Sequence, residues 1–140
     1  MNVVILYESL TGNTKRVAVD LARMLQGGGA NATACPTTKV DYAALARADL
    51  VVVGGWVDGL FFVGQRPGRA SRLRSLPAMK GKRSIVYCTY AIDPSKVLDK
   101  LTSIVEELGA NVIGGLAIRR NDLEGGAEEL AASIVRVGTP

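Results

Sequence analysis

The sequence predicts a single α/β domain built on a doubly wound, five-stranded parallel sheet with helices on both faces. The chain has 140 residues, 48% of them apolar, which suits one hydrophobic core. Short apolar runs alternate with amphipathic segments along the whole chain. Strict alternation favours parallel strands joined by right-handed crossover helices. We therefore expect one domain over residues 1–140.

The first half of the chain predicts three strands and two helices. Asn2–Tyr7 is a nearly continuous apolar run, typical of a strand that is buried on both faces. A helix is predicted from Asn13 to Leu25, and the three glycines that follow end it. The next elements are a short strand over Ala30–Cys35, a weak helix over Tyr42–Arg47 and a third strand over Leu50–Val53.

The middle of the chain has a less regular pattern of apolar residues. Residues 54–82 are irregular apart from a short helix near Arg69–Leu76. A fourth strand begins at Ser84 and ends near Cys88. Asp93 as an N-cap and Pro94 in the first turn then predict a helix, with an apolar face that ends at Leu108.

The last elements are a strand and a helix. Asn111–Ile118 reads as the fifth strand, and Gly109 just before it ends the preceding helix. Asn121 and Glu124 resemble a capping box, which predicts a final helix.

Composition excludes several kinds of chemistry and location. The chain has no histidine, which rules out Ser-His-Asp triads, Cys-His pairs and the usual histidine-containing zinc sites. Its two cysteines, Cys35 and Cys88, are far apart and lie in or beside strand-like runs, so reduced core thiols are expected. No apolar run is long enough to cross a membrane, and Met1–Tyr7 does not resemble a signal peptide. We expect a cytoplasmic protein without a metal site.

A ligand site is expected at one edge of the predicted sheet. Open parallel sheets bind ligands beyond the carboxyl ends of their strands. The loops at that edge are Glu8–Asn13, Gly54–Gly59 and Thr89–Asp93.

The first of these loops has the composition of a phosphate site. It supplies hydroxyl groups, an amide and a glycine directly before a helix N-terminus, where unpaired N–H groups and the helix dipole favour an anion. It is not a Walker A loop, because no Gly-Lys pair is followed by Ser or Thr. Gly27, Gly29 and Ala32 match the loose dinucleotide pattern, but they follow a helix instead of a strand. An ordinary capped turn remains the alternative for the loop.

The run from Ile5 to Thr14, followed by Ala18 and Leu21, resembles the flavodoxin signature. The resemblance extends loosely over the whole chain and implies a flavodoxin-like sheet with strand order 2-1-3-4-5. It also implies a loop wrapped around the phosphate of flavin mononucleotide (FMN). The implied phosphate contacts are Ser9, Leu10, Thr11, Gly12, Asn13 and Thr14.

The same resemblance places the isoalloxazine ring between the loops after the third and fourth strands. The implied flavin contacts there are Gly55, Trp56, Val57, Asp58, Gly59, Thr89, Tyr90 and Asp93. The two aspartates would bond ribityl hydroxyls or disfavour the anionic reduced ring by repulsion. Aromatic stacking favours a planar ring, and a carbonyl within Val57–Gly59 would accept a hydrogen bond from the reduced ring. The alternatives are a Trp56 that caps the core, a Tyr90 that extends its strand, and aspartates that serve as turn or cap residues.

The implied function is electron transfer between redox partner proteins, with no catalytic side chain. The family usually presents an acidic face, whereas here Arg66–Arg83 holds seven Lys or Arg and no acid. One interpretation is an acidic partner. The alternatives are a flavin-dependent reductase or oxidoreductase that acts on a small substrate, and a binding module without cofactor. Nucleic-acid binding is disfavoured, since no aromatic residue lies between Phe62 and Tyr87.

Overall fold

Strands and helices alternate along the computed structural model, which describes residues 1–60, 63–94 and 96–138, and only the backbone of residues 58–60 and 63–66. The strands are β1 (Asn2–Tyr7), β2 (Asn31–Pro36), β3 (Leu50–Leu60), β4 (Val63–Pro67), β5 (Arg83–Tyr90) and β6 (Asn111–Arg119). The helices are α1 (Asn13–Gly27), α2 (Tyr42–Arg47), α3 (Ala70–Arg74), α4 (Val97–Glu107) and α5 (Leu123–Gly138).

Five of the strands form one parallel sheet in the order β2-β1-β3-β5-β6. Counted without β4, this is the order 2-1-3-4-5, so the predicted fold class is confirmed. The order in which strands are added to the sheet reverses between β1 and β3, because β2 lies on one side of β1 and the later strands lie on the other. Both of these strands end at the same edge, which is where a doubly wound fold leaves a crevice for ligands.

The core lies on both faces of the sheet because successive strand residues point in opposite directions. In β1, Val3 and Ile5 belong to the apolar cluster under α1 and α5. Val4 and Leu6 belong to the cluster on the other face, which includes residues of α2, α3 and α4. This double burial explains why the central strands are almost continuously apolar.

The region after Val53 differs from the sequence-based expectation. The strand does not end there but continues to Leu60, and the chain turns back as β4, antiparallel to β3. Glycines at positions 54, 55 and 59 made this stretch resemble a loop, since glycine is disfavoured in strands. Pairing of Gly54 with Tyr87 and of Gly55 with Cys88 outweighs that local preference.

Three helix starts also differ from the expected ones. Helix α4 begins at Val97 with Lys96 as its N-cap, so the prediction that Asp93 caps it is wrong. The amide of Val97 donates to the Pro94 carbonyl (3.0 Å), which makes a separate turn before the helix. Helix α3 begins at Ala70 and is shorter than expected, and α5 begins at Leu123, one residue later than a capping box at Asn121 predicts. Among the described residues, no helix combines the length and apolar character that crossing a membrane requires.

Candidate functional site

A cleft opens at the carboxyl edge of the sheet, between the loop after β1 and the ends of β3 and β5. Its volume is about 180 Å³. It brings together eight residues from the sequence-based site, and Ala91 and Arg120 join them. The eight are Leu10, Thr11, Asn13, Thr14, Trp56, Val57, Thr89 and Tyr90. Residues from three separate stretches of the chain thus meet at the topological switch point.

Six predicted site residues are not among the described residues that line the cleft. Ser9 and Gly12 belong to the loop after β1, and Gly55 is buried in β3. Asp93 is exposed beyond the end of β5. Asp58 and Gly59 fall where only the backbone is described, so the predicted side-chain role of Asp58 lies outside the described structure.

The N-terminus of α1 forms one wall and is open to an anion. Its N-cap is Gly12, at φ 97°, and no side chain caps the helix. Such a φ strains any residue with a Cβ, which explains the glycine at this position. The Ser9 hydroxyl accepts a hydrogen bond from the Gly12 amide (3.2 Å) and so shapes the loop. With no acid in the first helical turn, the unpaired N–H groups and the helix dipole favour a negative group here.

Thr14 and Thr89 are buried, and they bind each other. Their hydroxyl oxygens are 2.9 Å apart, and the Thr14 hydroxyl also donates to the Gly55 carbonyl (3.3 Å). The two threonines therefore fasten the first turn of α1 to the ends of β3 and β5.

Tyr87 makes a second connection between β5 and the first turn of α1. Its hydroxyl donates to the Thr14 carbonyl (2.8 Å), and its ring occupies the space that a side chain at Gly54 would need. Burial raises the pKa of the Tyr87 phenol well above its usual range, and the nearby Tyr7 adds to the shift. Tyr87 therefore stays a neutral donor that positions the helix N-terminus.

Trp56 and Tyr90 form the aromatic part of the cleft and are both half-buried. They lie within β3 and β5, not in loops as the sequence suggested. The Trp56 indole packs against Gly68 after the β3–β4 hairpin, and its Nε1 is buried with no hydrogen-bond partner among the described residues. Tyr90 carries the Arg119 guanidinium over its ring, 5.6 Å from the ring centroid.

An ionic cluster behind the loop was not foreseen from the sequence. Glu8 is buried, and its carboxylate accepts hydrogen bonds from the Thr37 hydroxyl (2.5 Å), Arg69 (2.9 Å) and Arg72 (3.2 Å). These groups come from three separate stretches of the chain. A carboxylate between a buried strand and a glycine-containing loop was the available signal, but its partners are too distant in sequence to identify from it.

In the part that the structure describes, side chains of the basic segment Arg66–Arg83 lie at two opposite edges of the sheet. Arg69 and Arg72 lie at the carboxyl edge of the sheet, on Glu8. Lys82 donates to the Ala46 and Ala48 carbonyls, and Arg83 donates to the Val137 carbonyl, all at the opposite edge. These charges therefore lie at both ends of the sheet, with Arg69 and Arg72 at the end where the cleft opens.

Both cysteines are free and buried, as the sequence predicted. Burial raises the pKa of the Cys88 thiol to about 12. Cys88 is therefore an unreactive core residue near neutral pH.

The fold and this cleft define a doubly wound α/β protein with an uncapped helix N-terminus and an aromatic wall at the switch point. The flavodoxin domain matches residues 4–118, and the chain belongs to this family. No curated protein sequence matches the chain.

Solved flavodoxin structures share the fold over nearly the full length of both chains. The two-electron reduced flavodoxin of Megasphaera elsdenii has 22% identity and a TM-score of 0.78, with 96% of this chain and 99% of that one covered. A cysteine-to-serine variant of Pseudomonas aeruginosa flavodoxin has 20% identity and a TM-score of 0.73, with 97% of each chain covered. Streptococcus pneumoniae flavodoxin has 25% identity and a TM-score of 0.66, with 94% and 98% covered.

Proposed function

We propose that this protein binds FMN in the cleft and carries electrons between redox partner proteins. The observation that carries the proposal is the meeting of an uncapped helix N-terminus and two aromatic side chains in one cleft. The first suits a phosphate and the second suits a planar ring. Membership of the flavodoxin domain family supports the same conclusion.

The residues present fit such a group. The loop from Ser9 to Thr14 would hold the phosphate, with the exposed Thr11 hydroxyl and the α1 amides as donors. Trp56 and Tyr90 would flank the ring, with backbone groups of residues 55–59 beside it. Asp58 and Asp93 would bind the ribityl hydroxyls. A cleft of about 180 Å³ is smaller than the roughly 300–1,000 Å³ of pockets that enclose small ligands, so part of the cofactor would rest on the exposed rim.

When bound, the flavin supplies the one- and two-electron redox chemistry. The side chains of this chain bind and orient it and exclude water from its faces. Thr14, Thr89 and Tyr87 act indirectly by fixing the walls of the cleft. No side chain needs to take part in bond making or breaking.

The redox partner would dock at the carboxyl edge, where the cleft opens. Arg69 and Arg72 lie on this edge, and each keeps more than a third of its side chain exposed although it binds Glu8. We propose an acidic partner face, because opposite charges steer association. Free cysteines at two buried positions fit a reducing compartment such as the cytoplasm.

Flavin binding by the purified protein tests the proposal. Addition of FMN, followed by removal of the excess, should leave a bound flavin absorption spectrum. Trp56→Ala should weaken FMN binding by about tenfold, from the loss of stacking and burial. Tyr42→Ala is the matched control, because Tyr42 is exposed on α2, outside the cleft.

Three further observations test the phosphate site and separate the alternatives. Thr11→Val should weaken FMN binding but leave riboflavin binding unchanged, since riboflavin lacks the phosphate. Turnover with a nicotinamide donor and a small acceptor alone would favour a flavin-dependent reductase. A protein that neither binds FMN nor quenches its fluorescence would rule out the proposal and favour a binding module.

A further inference from the structure

Two adjacent arginines are fixed to Tyr90 at the end of β5. The Arg120 amide donates to the Tyr90 carbonyl (2.8 Å), and Arg119 pairs with Tyr90 in the parallel register of β5 and β6. The Arg119 guanidinium lies over the phenol ring, 5.6 Å from its centroid. Both residues are therefore held beside the aromatic residue that would contact the flavin ring.

One of these two arginines, Arg120, also lines the cleft. Arg120 is the only charged residue among the described residues that line the cleft. It also lines a neighbouring cavity of about 270 Å³ together with Arg16, Asp122 and Glu124. Asp122 and Glu124 border the second cavity but not the cleft. They therefore reduce the positive potential of Arg120 from outside the cleft.

We propose that Arg119 and Arg120 place a positive charge beside the flavin ring and raise the potential at which it accepts its second electron. The inference rests on the proposed function. A one-electron donor supplies that electron, and the ring gains one negative charge where no proton follows. A guanidinium group stabilises this anion but gives little stabilisation to the neutral ring that accepts the second electron. The protein would thus bind the reduced flavin more tightly than an uncharged cleft would.

A redox titration of the FMN-loaded protein tests this inference. The variants are Arg120→Gln, Arg119→Gln and the double variant, and dithionite is the reductant, with a reference dye present. Arg120→Gln should lower the preference for the fully reduced over the one-electron-reduced flavin by on the order of tenfold, which corresponds to about 59 mV for this one-electron couple. Arg119→Gln should act in the same direction, and the double variant should show the largest change.

Arg136→Gln is the matched control. Arg136 is an exposed arginine of α5 that borders a groove away from the cleft, so its loss removes one positive charge without changing the site. It should leave the second potential unchanged. The second potential of the wild-type protein can also be measured at rising salt concentration. Because salt screens exposed charges, that potential should fall as the salt concentration rises.

The outcomes distinguish failure of this inference from failure of the proposed function. A wild-type protein that does not bind FMN would overturn both this inference and the proposed function. An Arg120→Gln variant with unchanged potential but weaker binding of FMN, and not of riboflavin, would overturn this inference alone, because Arg120 would then serve the phosphate. A potential that responds neither to the variants nor to salt would also overturn it.

Discussion

Gly54 leaves the space that the Tyr87 ring occupies, and Tyr87 in turn holds the first turn of α1. Gly54→Ala should destabilise the protein by about 1–3 kcal/mol, because the added Cβ forces the buried ring to move. Urea unfolding measures this change. Gly55→Ala is the neighbouring control, since its Cβ would meet leucine side chains at an ordinary 3.8 Å. Equal effects of the two substitutions would contradict the account of Tyr87.

The Cys88 thiol predicts a dependence of stability on pH. Its pKa is about 12 in the folded protein and about 8.5 in an unfolded chain. The folded state keeps the proton that the unfolded state loses, so the free energy of unfolding should fall as pH rises through this window. The slope approaches about 1.4 kcal/mol per pH unit. Urea titrations of the wild type and Cys88→Ala at pH 7–10 check this, and identical slopes for both proteins would contradict it.

The link between the loop after β1 and helix α3 depends on the Glu8 carboxylate. Replacing Arg69 and Arg72 by Met should destabilise the protein by about 1–3 kcal/mol, because the buried carboxylate loses two charged donors. Adding Glu8→Gln to that double variant should recover part of the loss, since no buried charge then remains. Urea unfolding of the three proteins measures both steps.

Arg74→Met provides the control for this cluster. Arg74 belongs to the same short helix but does not bind Glu8 in the described structure. A triple variant that is no more stable than the double variant would show that burial of the Glu8 charge is not what makes the arginines important.

The turn after β4 supports the Trp56 wall of the cleft. A side chain at Gly68 would collide with the indole, so Gly68→Ala should displace Trp56 and weaken FMN binding several-fold. Trp56 is the only tryptophan, and its fluorescence reports the displacement directly. Gly27→Ala, at an open position in α1, should change neither fluorescence nor FMN binding. Unchanged fluorescence in Gly68→Ala would argue against this contact.

The charge distribution predicts how the reduced protein discriminates between acceptors. Arg69, Arg72, Arg119 and Arg120 all lie near the carboxyl edge, where the cleft opens. Electron transfer to anionic ferricyanide should therefore slow as salt rises, whereas transfer to a cationic hexaammine complex should not. Stopped-flow oxidation of the FMN-loaded protein measures both rates. The same salt response for both acceptors would rule out electrostatic steering at this edge.

The pattern of apolar residues was sufficient to predict the five parallel strands and the doubly wound class. These elements depend on periodicity and on local end signals, which are read within ten or so residues. Where local and long-range preferences disagreed, the prediction was wrong: glycines suggested a loop at residues 54–59, and Asp93 suggested a helix cap. In the first case pairing with β5 and then with β4 decided the structure, because backbone hydrogen bonds do not depend on the side chain.

The local sequence also indicated which loops surround the cleft, because their residue types and positions after strands are visible in it. The contacts that fix the cleft were decided by the tertiary structure. Tyr87 is 73 residues from Thr14, Thr89 is 75 from Thr14, and Arg69 is 61 from Glu8. The split of the basic segment between the two edges was decided in the same way. The physical reason is that such contacts depend on the distance between side chains after the strands have packed, and separation along the chain does not determine that distance.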